Sequence, residues 1–161
     1  MKKSLFLMAV MLIAVSSAQA SKTGQQIGQR LEAIRTTAYT YGAACNGDHP
    51  SSNALGKPLK AGSLRSAAAD WSLYPVGTRF RVVENGQEYV VDDYGSAMVG
   101  NGTIDLFKPS AREMNSWGVR KVTIEILEWG SPERSLKILS SRKQMRHIRE
   151  MVSRLKDQQA V

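Results

Sequence analysis

The stretch over residues 91–107, VDDYGSAMVGNGTIDLF, constrains the fold more than any other part of the chain. Three carboxylates, Asp92, Asp93 and Asp105, flank a run of small residues that includes several glycines. A simple hairpin turn needs one glycine or asparagine at a positive φ angle, and not several small residues between carboxylates. The loop is therefore either a place where one segment crosses another or a functional site.

Short β-rich segments separated by Gly- and Pro-rich loops predict a small β-barrel. We predict strands at residues 36–43, 64–68, 78–83, 88–91, 104–107 and 119–129, with Asn85-Gly86 as a hairpin turn. The segment KPSAREMNSWG predicts a short helix that ends at Gly118. Before the first strand, Ile27, Leu31 and Ile34 have helical spacing, which predicts a short lead-in helix.

The N-terminal residues have the pattern of a secretory signal peptide. Two lysines precede an apolar run over residues 5–15, and Ala18-Gln19-Ala20 fits a signal-peptidase site. The apolar run is too short to span a bilayer. We therefore predict a signal peptide over residues 1–20 and an exported protein, located in the periplasm or outside the cell.

Cysteine and histidine are too scarce for most disulfide or metal chemistry. Cys45 is the only cysteine, so no intrachain disulfide can form and the fold depends on a packed core. We expect Cys45 to be buried, while His49 four residues later leaves a Cys-His pair open. His147 is the only other histidine, so we predict no metal site and no cofactor.

Residues 129–161 form a basic tail after the last predicted strand. Met145, Ile148, Val152 and Leu155 recur at three- and four-residue steps, which predicts an amphipathic helix from about residue 140. Its apolar face can pack on its own domain, or residues 140–157 can associate with a second copy or with a membrane surface. The chain's net charge of +8 fits an anionic partner, but it is also common in exported proteins without one.

Five segments occur together in the order typical of a known domain. They are TAYT (37–40), ALGKPLKAG (54–62), RSAAADWSLYPVGTRF (65–80), VDDYGSAMVGNGTIDLF (91–107) and WGVRKVTIEIL (117–127). In this order they resemble the 3D, or three-aspartate, domain, which is similar to the catalytic barrel of the membrane-bound lytic transglycosylase A family. The resemblance implies a mainly β fold with a small six-stranded double-psi β-barrel at 37–128. To it we add the short N-terminal helix at 21–36 and the basic amphipathic C-terminal helix in 129–161.

The resemblance also implies which residues form the site. It assigns the signature aspartates to Asp70, Asp93 and Asp105, with Asp105 as the catalytic acid. Asp93 would polarise its surroundings, and Asp70 would orient a sugar hydroxyl. Ser96 stands where the family has a second glycine, and Val99 stands where it often has lysine. The residues expected to line the glycan groove are Thr37, Tyr39, Thr40, Gly95, Ser96 and Gly100, with the Tyr39 ring available for stacking.

Carboxyl groups in a groove suit the cleavage of glycosidic bonds. The leaving oxygen needs a proton as an oxocarbenium-like centre develops, and a hydrolase uses a second carboxylate as nucleophile or base. A lytic transglycosylase instead lets the C6 hydroxyl of MurNAc attack its own anomeric carbon, so one carboxyl group serves as acid and then as base. Because Asp105 lies beside Ile104 and Leu106, we expect burial and the charge of Asp93 to raise its pKa.

Each candidate acid has a structural alternative as well. Asp70 can accept hydrogen bonds from the backbone of the turn that follows it. Asp93 can brace its loop, and Asp105 can act as a structural cap. Asp92 alternates in direction with Asp93 along a strand, so we expect Asp92 in solvent. The glycines can allow two chain segments to cross closely, and Trp71 can be a core residue.

Three functional hypotheses remain open. The first is an exported lytic transglycosylase that acts on peptidoglycan glycan strands. The second is a non-catalytic glycan-binding protein on the same barrel, and the third is an envelope-anchoring protein that acts through its C-terminal helix. None of the three involves nucleic acid.

Overall fold

The computed structural model describes residues 26–42 and 51–160. The predicted signal peptide, Cys45 and His49 lie outside these ranges and stay predictions. The strands are β1 (Arg30–Tyr39), β2 (Leu64–Ala68), β3 (Arg79–Val82), β4 (Glu88–Asp93), β5 (Ile104–Phe107) and β6 (Arg120–Glu128). The helices found within the same ranges are α1 (Ala111–Trp117), α2 (Pro132–Ser140) and α3 (Arg146–Gln159).

The strands close into a barrel in the order β1-β5-β2-β4-β3-β6. β1 pairs with β5, and β2 with β4, in parallel, while the other pairings are antiparallel. Parallel neighbours need a crossover connection, and the loop at 94–103 carries the chain from β4 across to β5, between β1 and β2. Two parallel pairs in a closed six-stranded barrel fit the double-psi arrangement. The mainly β fold and the six-stranded barrel are therefore confirmed.

Side chains that alternate along the strands fill the barrel interior. Phe80 and Tyr89 stack with ring centroids 5.6 Å apart, and both are fully buried. Because alternate residues of a strand point to opposite faces, the polar residues between them lie outside. The interior residues are Ala67, Phe80, Val82, Tyr89, Val91, Ile104, Leu106, Val122, Ile124 and Ile126.

The prediction of an N-terminal helix at residues 21–36 is wrong over the part of this range that the structure describes. Residues 30–36 belong to β1, and Ile27 before them is 76% exposed. The pairing of β1 with β6 shifts register between Leu31 and Ile34, and Ala33 in the shift has φ of 56°. The extra residue of this bulge lets both Leu31 and Ile34 pack against the core. Their three-residue spacing therefore resembles that of a helix.

The basic tail forms two helices rather than one. α3 confirms a C-terminal amphipathic helix, but α2 precedes it, with Ser131 as N-cap and Pro132 in its first turn. Both features are helix-start signals that were present in the sequence. No helix of the described ranges is long and apolar enough to cross a membrane.

The apolar faces of α2 and α3 pack on the barrel. Trp71, which lies just after β2, is fully buried in the same core as these helices. Its backbone N–H contacts the sulfur of Met151 in α3 at 3.4 Å. The tail thus packs on its own domain, and its association with a second copy or a membrane surface stays a prediction. The residues of α2 and α3 that join the main core are Leu139, Ile148, Met151, Val152 and Leu155.

Candidate functional site

Asp93 and Asp105 lie in register on either side of Ala68. Ala68 on β2 pairs with Asp93 on β4 in parallel and with Asp105 on β5 in antiparallel orientation. Residues in register on neighbouring strands point to the same face of a sheet, and two strand spacings separate them by roughly 10 Å. The two carboxyl groups therefore share one face, with only the small side chain of Ala68 between them.

This face is the outer surface of the barrel. Ile104 and Leu106 on β5 point into the main core, so Asp105 and Phe107 point outward. Outside the wall, Phe107 belongs to a second apolar cluster that includes Leu59 of the 51–60 loop and Met98 of the 94–103 loop. The carboxyl pair thus lies on an apolar floor, next to two loops.

Within residues 26–42 and 51–160, Asp105 accepts one side-chain hydrogen bond. Thr37 pairs with Asp105 across β1 and β5, and its hydroxyl donates to Asp105 Oδ1 at 2.6 Å. Burial raises the pKa of Asp105, and the bond from Thr37 opposes that rise. The charge of Asp93, which we expected to contribute, plays no part in the shift.

Asp93 braces a loop and also has a strongly shifted pKa. Its Oδ1 accepts the backbone N–H groups of Ala54 at 3.1 Å and Tyr94 at 2.9 Å. Burial is the main cause that raises the pKa of Asp93 to about 7, and the charge of Asp92 adds to the rise. The hydrogen bonds from Tyr94 and Ala54 oppose the rise. Near neutral pH, Asp93 is therefore divided between its acid and carboxylate forms.

The expectation that Asp92 lies in solvent is wrong. Asp92 is buried, and its Oδ2 accepts from Lys60 Nζ at 2.6 Å, Asn53 Nδ2 at 3.0 Å and Ser66 Oγ at 3.0 Å. The pairing of β2 with β4 shifts register between Ala67 and Ala68, which inserts one residue in β4. The expectation for Asp92 assumed regular alternation along the strand, and the bulge breaks that alternation.

Asp70 lies apart from the carboxyl pair. Its side chain is fully buried, and Oδ1 accepts from the backbone and hydroxyl of Ser72 at 2.9 and 2.6 Å. Its other oxygen, Oδ2, accepts from Gly100 N and from Arg154 Nη1, both at 2.9 Å. Because both oxygens are occupied and shielded from solvent, Asp70 cannot orient a sugar. The turn-acceptor alternative describes it better than the groove role.

Tyr39 cannot serve as an open stacking platform. It is only 5% exposed, and its ring packs edge-on against Phe107 with centroids 5.5 Å apart. Its hydroxyl is buried without a hydrogen-bond partner in the described ranges. Burial, and next the charge of Asp93, raise the pKa of Tyr39. The hydroxyl is close enough to Asp93 to lower the pKa of that carboxyl group, but its distance or alignment does not make a full hydrogen bond.

The other predicted groove residues differ in exposure. Ser96 and Gly100 are exposed, Gly95 and Thr37 are half-buried, and Thr40 is buried. Gly100 has φ of 87°, and its N–H is committed to Asp70. Thr37 is the residue of this set that bonds through its side chain to a candidate acid, Asp105, whereas Gly100 bonds to Asp70 through its backbone.

The tail contacts both loops near the site. Arg142, between α2 and α3, donates from Nη1 to Ala54 O at 2.8 Å and to Tyr94 Oη at 3.1 Å. Arg154 of α3 donates to Asp70 Oδ2, the same oxygen that accepts the N–H of Gly100 in the second loop. These contacts with the C-terminal helices were not foreseen, because residues so far apart in sequence carry no local pattern. In residues 26–42 and 51–160, no three His, Cys, Asp or Glu side chains are grouped to hold a metal ion.

The fold and the site together define a closed double-psi-type β-barrel with a pair of titratable carboxyl groups on its outer face. Residues 65–128, which run from β2 to the end of β6 of the barrel, match the family model of the 3D domain. The chain is also similar to the cell wall-binding protein YocH of Bacillus subtilis (strain 168), at 32% identity over 108 residues. That alignment covers 66% of this chain and 36% of YocH, so the chain spans about a third of the length of this relative.

Proposed function

We propose that this protein is an exported lytic transglycosylase that cleaves the MurNAc–GlcNAc bond of peptidoglycan. The observation that supports it is the placement of Asp93 and Asp105 in register on either side of Ala68, on one outer face. Burial raises the pKa of both carboxyl groups, so each can hold a proton at a higher pH than an exposed aspartate. An acid that stays protonated is what cleavage of a glycosidic bond needs first.

Asp105 is the acid and then the base in this proposal. Its proton goes to the glycosidic oxygen while the bond from that oxygen to C1 of MurNAc breaks, and GlcNAc leaves with a free hydroxyl. The Asp105 carboxylate then takes the proton of the MurNAc C6 hydroxyl, whose oxygen bonds to C1. The product is a 1,6-anhydro sugar, and Asp105 is protonated again for the next cycle.

The hydrogen bonds favour Asp105 over Asp93 for this role. Among the described residues, Thr37 alone bonds to the carboxyl group of Asp105, at Oδ1, and in this proposal the second oxygen of Asp105 faces the substrate. Asp93 accepts two backbone N–H groups that hold the 51–60 and 94–103 loops, so movement of its carboxyl group would disturb both. Asp93 then serves as a polar neighbour that is partly uncharged near pH 7.

A second candidate function is glycan binding without turnover. The name of YocH, a cell wall-binding protein, favours it, as do the bracing bonds of Asp93 and the burial of Asp70. The same face would then hold a glycan strand through its polar groups and its apolar floor, and no bond would break. Either function places the protein at the cell wall, in line with the predicted signal peptide.

The test is to incubate the purified protein with peptidoglycan and to look for 1,6-anhydromuropeptides by mass spectrometry. We expect wild type to form them, Asp105→Asn to form none while still sedimenting with the polymer, and Asp93→Asn to retain part of the activity. Asp157→Asn, an exposed aspartate on α3, is the matched control and should behave as wild type.

The outcomes separate the two candidates. Absence of anhydro products from wild type, with binding retained, would leave the glycan-binding function. Equal activity of wild type and Asp105→Asn would exclude Asp105 as the acid, and loss in Asp93→Asn alone would transfer that role to Asp93. Mass analysis of the exported protein tests export separately, because cleavage at the predicted site leaves Ser21 at the N-terminus.

A further inference from the structure

An open cavity of about 430 Å³ lies at the surface of the barrel, beside α1 and away from the carboxyl pair. Its volume is within the range of small-molecule sites. Its wall combines residues from β2, the turn between β3 and β4, the segment between β5 and α1, α1 and β6. The lining residues that matter here are Arg65, Lys108, Arg112, Glu113, Trp117 and Arg120.

This cavity is distinct from the candidate glycan site. Arg65 precedes Ala68 by three residues on β2, or roughly 10 Å along the strand. An odd separation along a strand also places the two side chains on opposite faces. Arg65 pairs with Tyr89, whose ring points into the barrel, so Arg65 belongs to the inner face at the other end of β2.

The cavity concentrates positive charge. Four cations, Arg65, Lys108, Arg112 and Arg120, line it against one carboxylate, Glu113. Glu113 is already engaged, since its Oε2 lies 2.9 Å from Arg65 Nη1. Like charges at this density repel one another, and the described residues that line the cavity supply one carboxylate against four cations.

Lys108 is the most confined of these cations. It is only 4% exposed, and its Nζ donates to Tyr89 Oη at 2.7 Å and lies 3.9 Å from the Trp117 ring centroid. Burial, and next the charge of Arg65, lower the pKa of Lys108 to about 8; the charge of Glu113 opposes this change, and Arg120 adds a smaller lowering. A bound anion would offset these charges and favour the protonated lysine.

Two arginines keep donors available. Arg65 Nε is buried and has no hydrogen-bond partner in the described part of the chain. Arg112 is exposed, and its side chain makes no hydrogen bond or ion pair with the described residues. Trp117 is not a sugar platform, because Lys108 and Arg120 both lie over its ring, at 3.9 and 4.4 Å. The wall therefore suits an anion better than a neutral sugar.

We propose that this cavity binds an oxyanion, a phosphate ester or a carboxylate, between Arg65, Lys108 and Arg112. Guanidinium groups present planar pairs of N–H donors that match the oxygens of both anions. The site is separate from the carboxyl pair, so it does not depend on the proposed cleavage reaction. In a chain that works on the cell wall, such a site would hold an anionic substituent of the polymer.

The test titrates the purified, ¹⁵N-labelled protein with inorganic phosphate at constant ionic strength and follows the arginine Nε resonances by NMR. We expect saturable shifts at Arg65 and Arg112. Arg112→Gln should weaken phosphate binding about tenfold, the effect of losing one charge-assisted hydrogen bond. Arg134→Gln, an exposed arginine of α2 outside the cavity, makes the same charge change and should leave binding unchanged.

A second variant separates geometry from charge. Arg65→Lys keeps the charge but loses the planar pair of donors, so it should also weaken phosphate binding while the thermal midpoint of unfolding shows that the protein is folded. Equal weakening by Arg112→Gln and Arg134→Gln would mean general charge attraction and would overturn the site.

Two further ligands distinguish the sources of the anion. N-acetylmuramic acid carries a carboxylate, whereas N-acetylglucosamine is uncharged. Saturation with phosphate alone assigns the site to phosphate esters, and saturation with N-acetylmuramic acid alone assigns it to carboxylates. Saturation with neither anion, or binding of N-acetylglucosamine as tight as that of N-acetylmuramic acid, overturns the proposal.

Discussion

Arg154 and Asp70 form an ion pair between the last helix and the barrel, with Nη1 and Oδ2 2.9 Å apart. The carboxyl side chain is fully buried, whereas the arginine side chain is 41% exposed. The same oxygen accepts the N–H of Gly100, so this pair also fixes the end of the 94–103 loop. The helix thereby supports a loop whose beginning is held by Asp93.

Removal of Arg154 should destabilise the protein. Loss of one partner leaves a buried carboxylate unpaired, which costs about 3–5 kcal/mol for a fully buried pair. Because Arg154 is partly exposed, we expect Arg154→Ala to lower the free energy of unfolding by about 2 kcal/mol. The measurement is denaturant unfolding at pH 7.

Arg146→Ala is the matched control for this prediction. Arg146 pairs with Glu150 on the same helix, but its side chain is 87% exposed. Exposed pairs of this kind contribute little, so the loss of stability should be much smaller. Similar losses in the two variants would show that Asp70 does not depend on Arg154.

Thr37→Val should raise the pKa of Asp105. The Thr37 hydroxyl bonds to the Asp105 carboxyl at 2.6 Å and opposes the rise that burial causes. Without it, the carboxylate is less favoured and the proton is held to higher pH. NMR titration of the Asp105 carboxyl carbon measures the change. Thr37→Ser keeps the hydroxyl and should titrate as wild type; a lower pKa in Thr37→Val would contradict the assigned bond.

Asp93→Asn should make the protein more stable at alkaline pH. The folded protein holds the Asp93 proton up to a pKa of about 7, whereas an ordinary aspartate releases it near 3.8. Between these values the folded state binds more protons than the unfolded state, so this group's contribution to stability falls as pH rises. Above pH 7 the penalty is complete, on the order of a few kcal/mol at most.

Thermal unfolding at several pH values measures the Asp93 effect. The midpoint of Asp93→Asn relative to wild type should be highest above pH 7 and should decline toward pH 4. The amide oxygen of asparagine can still accept from Ala54 and Tyr94, so the loop bonds are kept. Asp157→Asn should show no such dependence on pH. A constant difference between Asp93→Asn and wild type would mean that Asp93 titrates like an exposed aspartate.

Gly130→Ala should be strongly destabilising. Gly130 lies between β6 and α2, and a Cβ atom there would come within 2.3 Å of Pro75 O and 2.4 Å of Val76 O. Both contacts are with backbone, which cannot move aside like a flexible side chain. We expect a loss of about 3 kcal/mol or more in the free energy of unfolding.

Gly62→Ala is the control for Gly130→Ala. A Cβ atom at Gly62 would meet nothing within 4 Å, and its φ is not in the left-handed region. Its free energy of unfolding should change by less than about 0.5 kcal/mol in either direction. A mild effect of Gly130→Ala would mean that the tail can shift on the barrel at little cost.

Local patterns were enough to predict most of the barrel. The Asn85-Gly86 turn between β3 and β4 and the helix that ends at Gly118 depend on residues next to one another in sequence. The two bulges were not predictable in this way. At Leu31 the bulge produced a spacing like that of a helix, and at Asp92 it moved a residue expected in solvent into a buried network.

The pairing of the carboxyl groups across Ala68 could be predicted only in outline. The crossing loop between Asp93 and Asp105 indicated that they approach one another, but their register comes from pairing with β2. The burial of Asp70 depends on Arg154, which is 84 positions away. The basic cavity likewise joins Arg65 to Arg120, and no short motif connects them.

The bulge in β4 has a consequence for protein engineering. It lets Asp92 and Asp93, adjacent in sequence, both accept hydrogen bonds from the 51–60 loop, through Asn53 and Ala54. That loop is therefore not a module to be exchanged freely for one from another protein. A graft that omits these donors would leave two neighbouring carboxylates with fewer partners, Ser66 for Asp92 and Tyr94 for Asp93, so a useful library would keep Asn53 and vary residues 55–58.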